Sequence, residues 1–316
     1  MKEIVGKEVQ VFPTTLKPEM VERALTINKA HHQHINRYIF SIGQESQYWL
    51  VSRWAVGGNL EDFWQRTPQP PCQAGLVRNM IEQFRGLADA LYYLHTKDVA
   101  HGGIKPTNIL RTEDSTTLGH LVLSDAGIAG IRGPFVPPES PRYEPPETLR
   151  GLDHNIAPKS QYLDIWSVGC IIFETLIWFL YGTRELHRFH TDLGQQSCFF
   201  ETRLDDHNEL IAVVHSAVEA WMNHMMKDPE CAHDTAIRDL LELVSKRLLV
   251  FNTQSQYLMY VALDEMAEDE DKIHRATARE LRDSLDYILS KEAKMGDSYL
   301  ITSSVRAHLQ GPTARD

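Results

Sequence analysis

Cysteine is scarce in this sequence of 316 residues: Cys72, Cys170, Cys198 and Cys231 are scattered, with no pair at metal-ligand spacing. A disulfide framework and a cysteine-built zinc module are thereby disfavoured, and an intracellular, thiol-reduced protein is expected, cytoplasmic or nuclear. Positive charge is also in deficit. Lys and Arg number 32 against 43 Asp and Glu, a net charge of −11, so a general binder of phosphate backbones is disfavoured and no nucleic-acid partner is expected. No charged-then-apolar leader opens the sequence. Nor is there an unbroken apolar run of the ~20 residues that a bilayer demands. The longest, Ile165 to Tyr181, contains Ser167, Glu174 and Thr175 and reads as a buried helix, so no membrane partner is expected. No internal repeat is present.

What remains suffices for a folded body: 42% of residues are hydrophobic and 24% charged, which fills a core and excludes wholesale disorder. Residues 8–54 mix short alternating runs with one helical stretch. Val9 and Val11, then Tyr38, Phe40 and Ile42, then Tyr48 and Leu50 show period two, and Met20–Ala30 can form a helix with Pro18 at its start. After Gly57-Gly58 the pattern turns helical. Asn59 is an N-cap with Asp62 three residues on, and Pro68, Pro70 and Pro71 stop that helix. From Gln73 to His95, Val77, Met80, Ile81, Phe84, Leu87, Leu91 and Leu94 form a sustained helical stripe. Residues 112–120 are turn-like, and His120–Ser124 is a short strand before a proline-rich segment, 132–146. From about Tyr162 to Leu289 the spacing predicts helices, Ile211, Val214, Ala217, Val218 and Trp221 among their apolar positions. The charge run Asp264–Asp271 reads as a solvated loop or helix edge, and 291–316 as a loose tail.

The chemistry is concentrated in a few ordered motifs: Tyr93-Leu94-His95, then His101-Gly102-Gly103-Ile104-Lys105-Pro106-Thr107-Asn108-Ile109-Leu110, then Leu123-Ser124-Asp125-Ala126-Gly127. Tyr143-Glu144-Pro145-Pro146-Glu147 and Asp164-Ile165-Trp166-Ser167-Val168-Gly169 follow. In order and spacing these resemble the protein-kinase signature set, serine/threonine type: the catalytic loop, the Asp-Phe-Gly strand end, the Ala-Pro-Glu segment and the central helix. Tyr162–Gly182 and Arg275-Ala276-Thr277 are similar to kinase-like proteins of filamentous fungi. The resemblance covers roughly residues 9–289.

It implies an α+β, bilobal fold: a reduced β-rich N-lobe over 1–54, a hinge at 53–58, a mostly helical C-lobe over 55–290 and a tail over 291–316. Asp125 and Asn108 match the magnesium ligands, and Lys105 the catalytic-loop lysine. Gly103 replaces the aspartate that takes the substrate proton, and Gly102 the arginine that pairs with a phosphorylated loop. Loss of a general base costs typically ~10²–10⁴-fold in rate. The strand Glu8–Pro13 puts Gln10 where the nucleotide lysine belongs; Lys7 and Lys17 are near enough in sequence to substitute but read as surface lysines, and no glycine-rich loop is visible before the strand. Glu22 is the preferred partner of that position over Arg23. Ser52 stands at the gatekeeper, and Arg53, Trp54 and Ala55 form the linker that meets an adenine. Glu147 and Arg275 match a buried ion pair, and Asp164 a residue that accepts backbone bonds from the catalytic loop; these are fold residues. His31, His32 and His34 invite a metal reading but lack the i, i+4 spacing of a helical zinc pair.

The resemblance therefore implies a pseudokinase acting as a signalling scaffold or regulator of protein partners, in which ATP and Mg2+ are possible but not required. The alternative is a weak serine/threonine kinase that phosphorylates a protein substrate.

Overall fold

A computed structural model describes residues 9–14, 31–44, 47–126, 141–148, 160–194, 198–206, 208, 210–251, 274–302 and 310–312. The first strands are β1 (Val9–Thr14), β2 (Tyr38–Gln44) and β3 (Gln47–Arg53), an antiparallel sheet with β3 in the middle. Gln10 lies opposite Ser52, and Ser52 opposite Tyr38 on its other side. The helix expected at Met20–Ala30, the residue Glu22, and the charge run Asp264–Asp271 lie outside the described residues.

Helix α1 (Leu60–Arg66) starts where Asn59 accepts the Asp62 N–H at 2.9 Å, and it ends ahead of Pro68. Helix α2 (Ala74–His95) buries the whole expected stripe from Val77 to Leu94. Strands β4 (Ile109–Arg111) and β5 (Leu121–Leu123) pair antiparallel beside it. Helix α3 (Ser160–Tyr181) is long and apolar enough to cross a membrane, yet it is enclosed almost entirely by the rest of the protein. Of its two buried carboxylates, Asp164 and Glu174, the second accepts from Tyr143 Oη at 2.9 Å and His190 Nε2 at 2.7 Å, which answers the need of a desolvated charge for partners.

Two expectations are corrected. The stretch from Tyr162 to Leu289 is not helical throughout. After α4 (Thr183–Asp192) comes a hairpin, β6 (Phe200–Leu204) with β7 (Leu210–Val214), which takes Ile211 and Val214; only Ala217, Val218 and Trp221 fall on helix α5 (Ser216–Met225). The run Leu210–Val214 is apolar throughout, and periodicity cannot tell so short an apolar run from a helical segment; His215, which caps Ala217 N–H at 3.0 Å, marks the change. Residues 291–316 are likewise not loose where they are described. After α6 (Ala236–Leu243), α7 (Ala278–Met295) crosses the expected boundary along α2, α8 (Asp297–Leu300) buries Tyr299 and Leu300, and Gly311 and Pro312 are buried too.

Within the histidine-rich turn His31 is exposed, His32 half-buried and His34 part of the core. His34 is buried, its Nδ1–H donates to the Leu121 carbonyl at 2.7 Å, and burial pulls its pKa down to about 4, so the ring is neutral. His32 meets Asp89 at 3.2 Å. Among the described residues no group of side chains has the arrangement of a metal site. The His34 ring lies over Gly86 of α2, where an added Cβ would sit 2.1 Å from Nε2. Gly86→Ala is therefore expected to destabilise by about 1–3 kcal/mol through overpacking, read as a lowered urea midpoint. Gly75→Ala on the same helix, where a Cβ meets nothing within 4 Å, should not lower it.

Candidate nucleotide and phosphoryl-transfer site

The loop after α2 is drawn to one buried carboxylate. Asp164 of α3, 1% exposed, accepts His101 N–H and Gly102 N–H at 2.8 Å each, and His95 Nε2–H at 2.9 Å. Three donors on one ion give charge-assisted bonds, so the loop's path is set by the central helix. His101 is fully buried and burial lowers its pKa, leaving a neutral ring whose Nδ1 accepts Gly103 N–H at 3.3 Å. The Gly103 carbonyl in turn accepts from Asn108 Nδ2 at 2.9 Å. Both backbone groups of Gly103 are thus engaged, and the residue has no side chain with which to take a proton.

A single 3₁₀ turn, Pro106–Asn108, follows Lys105, whose carbonyl accepts Asn108 N–H at 2.9 Å. Lys105 and Asn108 are half-buried. The Asn108 carbonyl then receives Ser124 N–H at 2.9 Å and Ser124 Oγ at 3.1 Å, which ties the end of this turn to the end of β5. Asp125 comes next, at φ 62° in the left-handed region that is uncommon for a residue other than glycine.

Asp125 is held from the small sheet. The stretch before β2 joins β5 through Leu123 N–H to His34 O and Asn36 N–H to Leu123 O, both 2.8 Å. That brings Tyr38, buried at the head of β2, within reach: its hydroxyl donates to Asp125 Oδ1 at 2.9 Å. Burial and the neighbouring carboxylate push the Tyr38 pKa well up, so the phenol stays protonated and remains a donor.

The linker is anchored by Arg111, 2% exposed, at the end of β4. Its guanidinium donates to the carbonyls of Gly57 (3.0 Å), Leu118 (3.0 Å), Ser115 (2.8 Å) and Thr117 (2.9 Å) and lies 4.0 Å from the centroid of the Phe63 ring. Its backbone bonds Gly57 N–H and Gly58 O as well, and Gly58 N–H returns to Ala55 O. Ser52, fully buried, donates to Arg53 O at 3.2 Å; Arg53 is exposed, Trp54 half-buried and Ala55 buried. Gln10 is located by strand register alone, opposite Ser52.

Residues 4–248 match the family described as protein kinase domain. The chain belongs to that family. Among its curated relatives, CBL-interacting protein kinase 4 of Oryza sativa subsp. japonica is 27% identical over 180 residues, 55% of this chain and 37% of the relative. Serine/threonine-protein kinase STK11 of Rattus norvegicus is 33% identical over 141 residues, 42% and 29% of the two. Serine/threonine-protein kinase RAD53 of Saccharomyces cerevisiae is 28% identical over 162 residues, 48% and 19%. The chain thus spans well under half the length of each of these.

Within this kinase-domain chain the structure brings Gly103, Asn108 and Asp125 together through the catalytic loop and β5. The donor set suits a hard divalent cation: one carboxylate, and one side-chain amide whose nitrogen is occupied by Gly103 so that its oxygen is left for other contacts. Tyr38 and Arg111 were missed by sequence reasoning. A tyrosine heading a period-two strand carries no sign of a partner 87 residues away. The arginine gave one usable signal, a charge closing the apolar run Ile109-Leu110 inside a short strand.

Proposed function

We propose that this chain is a pseudokinase, a kinase-type domain retained for binding protein partners and not for efficient phosphoryl transfer. The observation that carries the reading is Gly103, which occupies the position of the family's proton acceptor in a loop that is otherwise fully assembled. Gln10 in place of the nucleotide lysine supports it. The sheet β1–β3 corresponds in this reading to N-lobe strands and Arg53–Ala55 to the hinge. The fungal likeness of the later helices, and four cysteines that form no disulfide, support an intracellular regulator.

Asp125 and Asn108 would hold magnesium, and that ion would neutralise charge on the phosphates of a bound nucleotide. Lys105 would add a positive charge beside them, and the hinge backbone would meet the adenine. Tyr38, by donating to Oδ1, fixes the Asp125 carboxylate.

The test joins phosphoryl transfer to thermal stability. The purified chain is expected to show no transfer to protein substrates that depends on Asp125. A rate abolished by Asp125→Ala would overturn the pseudokinase. The likeness to serine/threonine-protein kinases favours a second reading, a weak serine/threonine kinase. Under it Gly103→Asp should raise transfer by ~10²–10⁴-fold, the worth of a general base. A thermal titration with ATP and Mg2+ then divides a nucleotide-binding pseudokinase from a pure scaffold, since a ligand at 100 times its Kd adds about 2.7 kcal/mol of stability.

A further inference from the structure

On the face built by α4 and α5, far along the chain from the catalytic loop, three consecutive residues of the C-terminal segment each have one backbone group met by a side chain. The Gln310 carbonyl accepts from His224 Nε2 at 2.9 Å. The Gly311 N–H donates to Glu185 Oε2 at 2.9 Å, a contact that is buried. The Pro312 carbonyl accepts from Arg188 Nη2. Glu185 and Arg188 are themselves paired at 3.2 Å, so the acceptor for the Gly311 amide and the donor for the Pro312 carbonyl hold one another in place.

The floor of this site is Trp221, 1% exposed, whose indole N–H is fixed by Asp192 Oδ2 at 3.0 Å. Gly311 lies directly on that ring: a Cβ added there would fall 2.1 Å from Cη2, closer than any real contact. Only glycine fits, and the reason is space. Proline is equally suited to the next position, because it is buried and has no N–H to leave unsatisfied. Glycine pressed on an indole, proline after it, and backbone polar groups read in succession by His, Glu and Arg are the marks of peptide recognition by a preformed surface.

We infer that the α4–α5 face is a recognition site for a short Gly-Pro segment, and that Gln310–Pro312 of this chain is its tethered, exchangeable ligand. Residues 303–309 join the segment to the helical body. A tethered ligand competes at an effective concentration reaching the millimolar range, so the same peptide added from outside is held off while the chain's own segment is in place. The inference is independent of nucleotide binding and of the pseudokinase reading.

The test uses the full chain and a fluorescent peptide of residues 306–316. Gly311→Val should expel the tail. By anisotropy, the G311V chain is then expected to bind the peptide at least tenfold more tightly than the wild-type chain does. Adding Arg188→Ala to G311V should weaken that binding at least tenfold, and a peptide with valine in place of its glycine should not bind. Equal binding by the two chains, or no binding by a G311V chain that still melts cooperatively, overturns the inference. A second measurement needs no variant: in the wild-type chain the Gly311 amide should exchange with solvent at least tenfold more slowly than in the free peptide. Equal rates overturn the inference as well.

Discussion

Arg275→Ala is expected to lower the unfolding free energy by about 3–5 kcal/mol, the range for removing one partner of a buried ion pair. The Arg275 side chain is fully buried. Its Nη2 meets Glu147 Oε1 at 2.7 Å, Nη1 donates to Tyr162 O at 3.2 Å, and Nε to Val250 O at 2.9 Å; the guanidinium lies 5.0 Å from the Trp166 ring centroid. Burial lowers the Arg275 pKa while Glu147 opposes that, and a guanidinium remains charged in either case. Truncation leaves the Glu147 carboxylate largely desolvated and removes the donor from two carbonyls. Arg275→Lys should recover only a part, because one ammonium cannot reproduce a fork that serves three acceptors. Urea or thermal midpoints measure both variants. A loss below about 1 kcal/mol for the alanine variant would place this pair in the class of surface ion pairs.

The second large effect is expected at Asp164. Asp164→Ala removes three charge-assisted hydrogen bonds, each worth ~1.5–3 kcal/mol and not additive, so a loss of at least about 3 kcal/mol is expected. Unlike the Arg275 change, this one reaches the catalytic loop directly, since the His101 and Gly102 amides lose their acceptor. Hydrogen exchange at those two amides should accelerate along with the fall in midpoint. Asp164→Asn is expected to recover little. One of its two positions becomes an NH2 group facing another donor, a repulsive contact in a site built for acceptors. An unchanged midpoint with both amides still protected would show that the loop is held by something other than this carboxylate.

Much of this architecture could be read from the sequence because the features concerned are local. The stripe from Val77 to Leu94, the Asn59 cap and the apolar run of α3 are each set by spacings of three or four residues or by one side chain reaching its own turn. The kinase motifs are legible for the same reason, being short and ordered. Features made through space were not. Ile211 and Val214 look helical until β6 is known to lie beside them. Tyr299, Leu300 and Gly311 are too few and too far apart to show a period, yet each finds a place in the helical body. Tyr38 gains its meaning only when the bridge between Ile35 and Leu123 sets β2 next to Asp125.

The surroundings of Arg111 bear on how the molecule moves. Two glycines in succession at a junction would ordinarily serve as a swivel, since neither backbone is sterically confined. Here every amide and carbonyl of Gly57 and Gly58 is taken: three by Arg111, through backbone and guanidinium, and the fourth by Ala55. The apparent swivel is a weld. Freedom at this junction is therefore left to the residues ahead of the two glycines, Arg53 to Val56, of which Arg53 and Val56 are exposed.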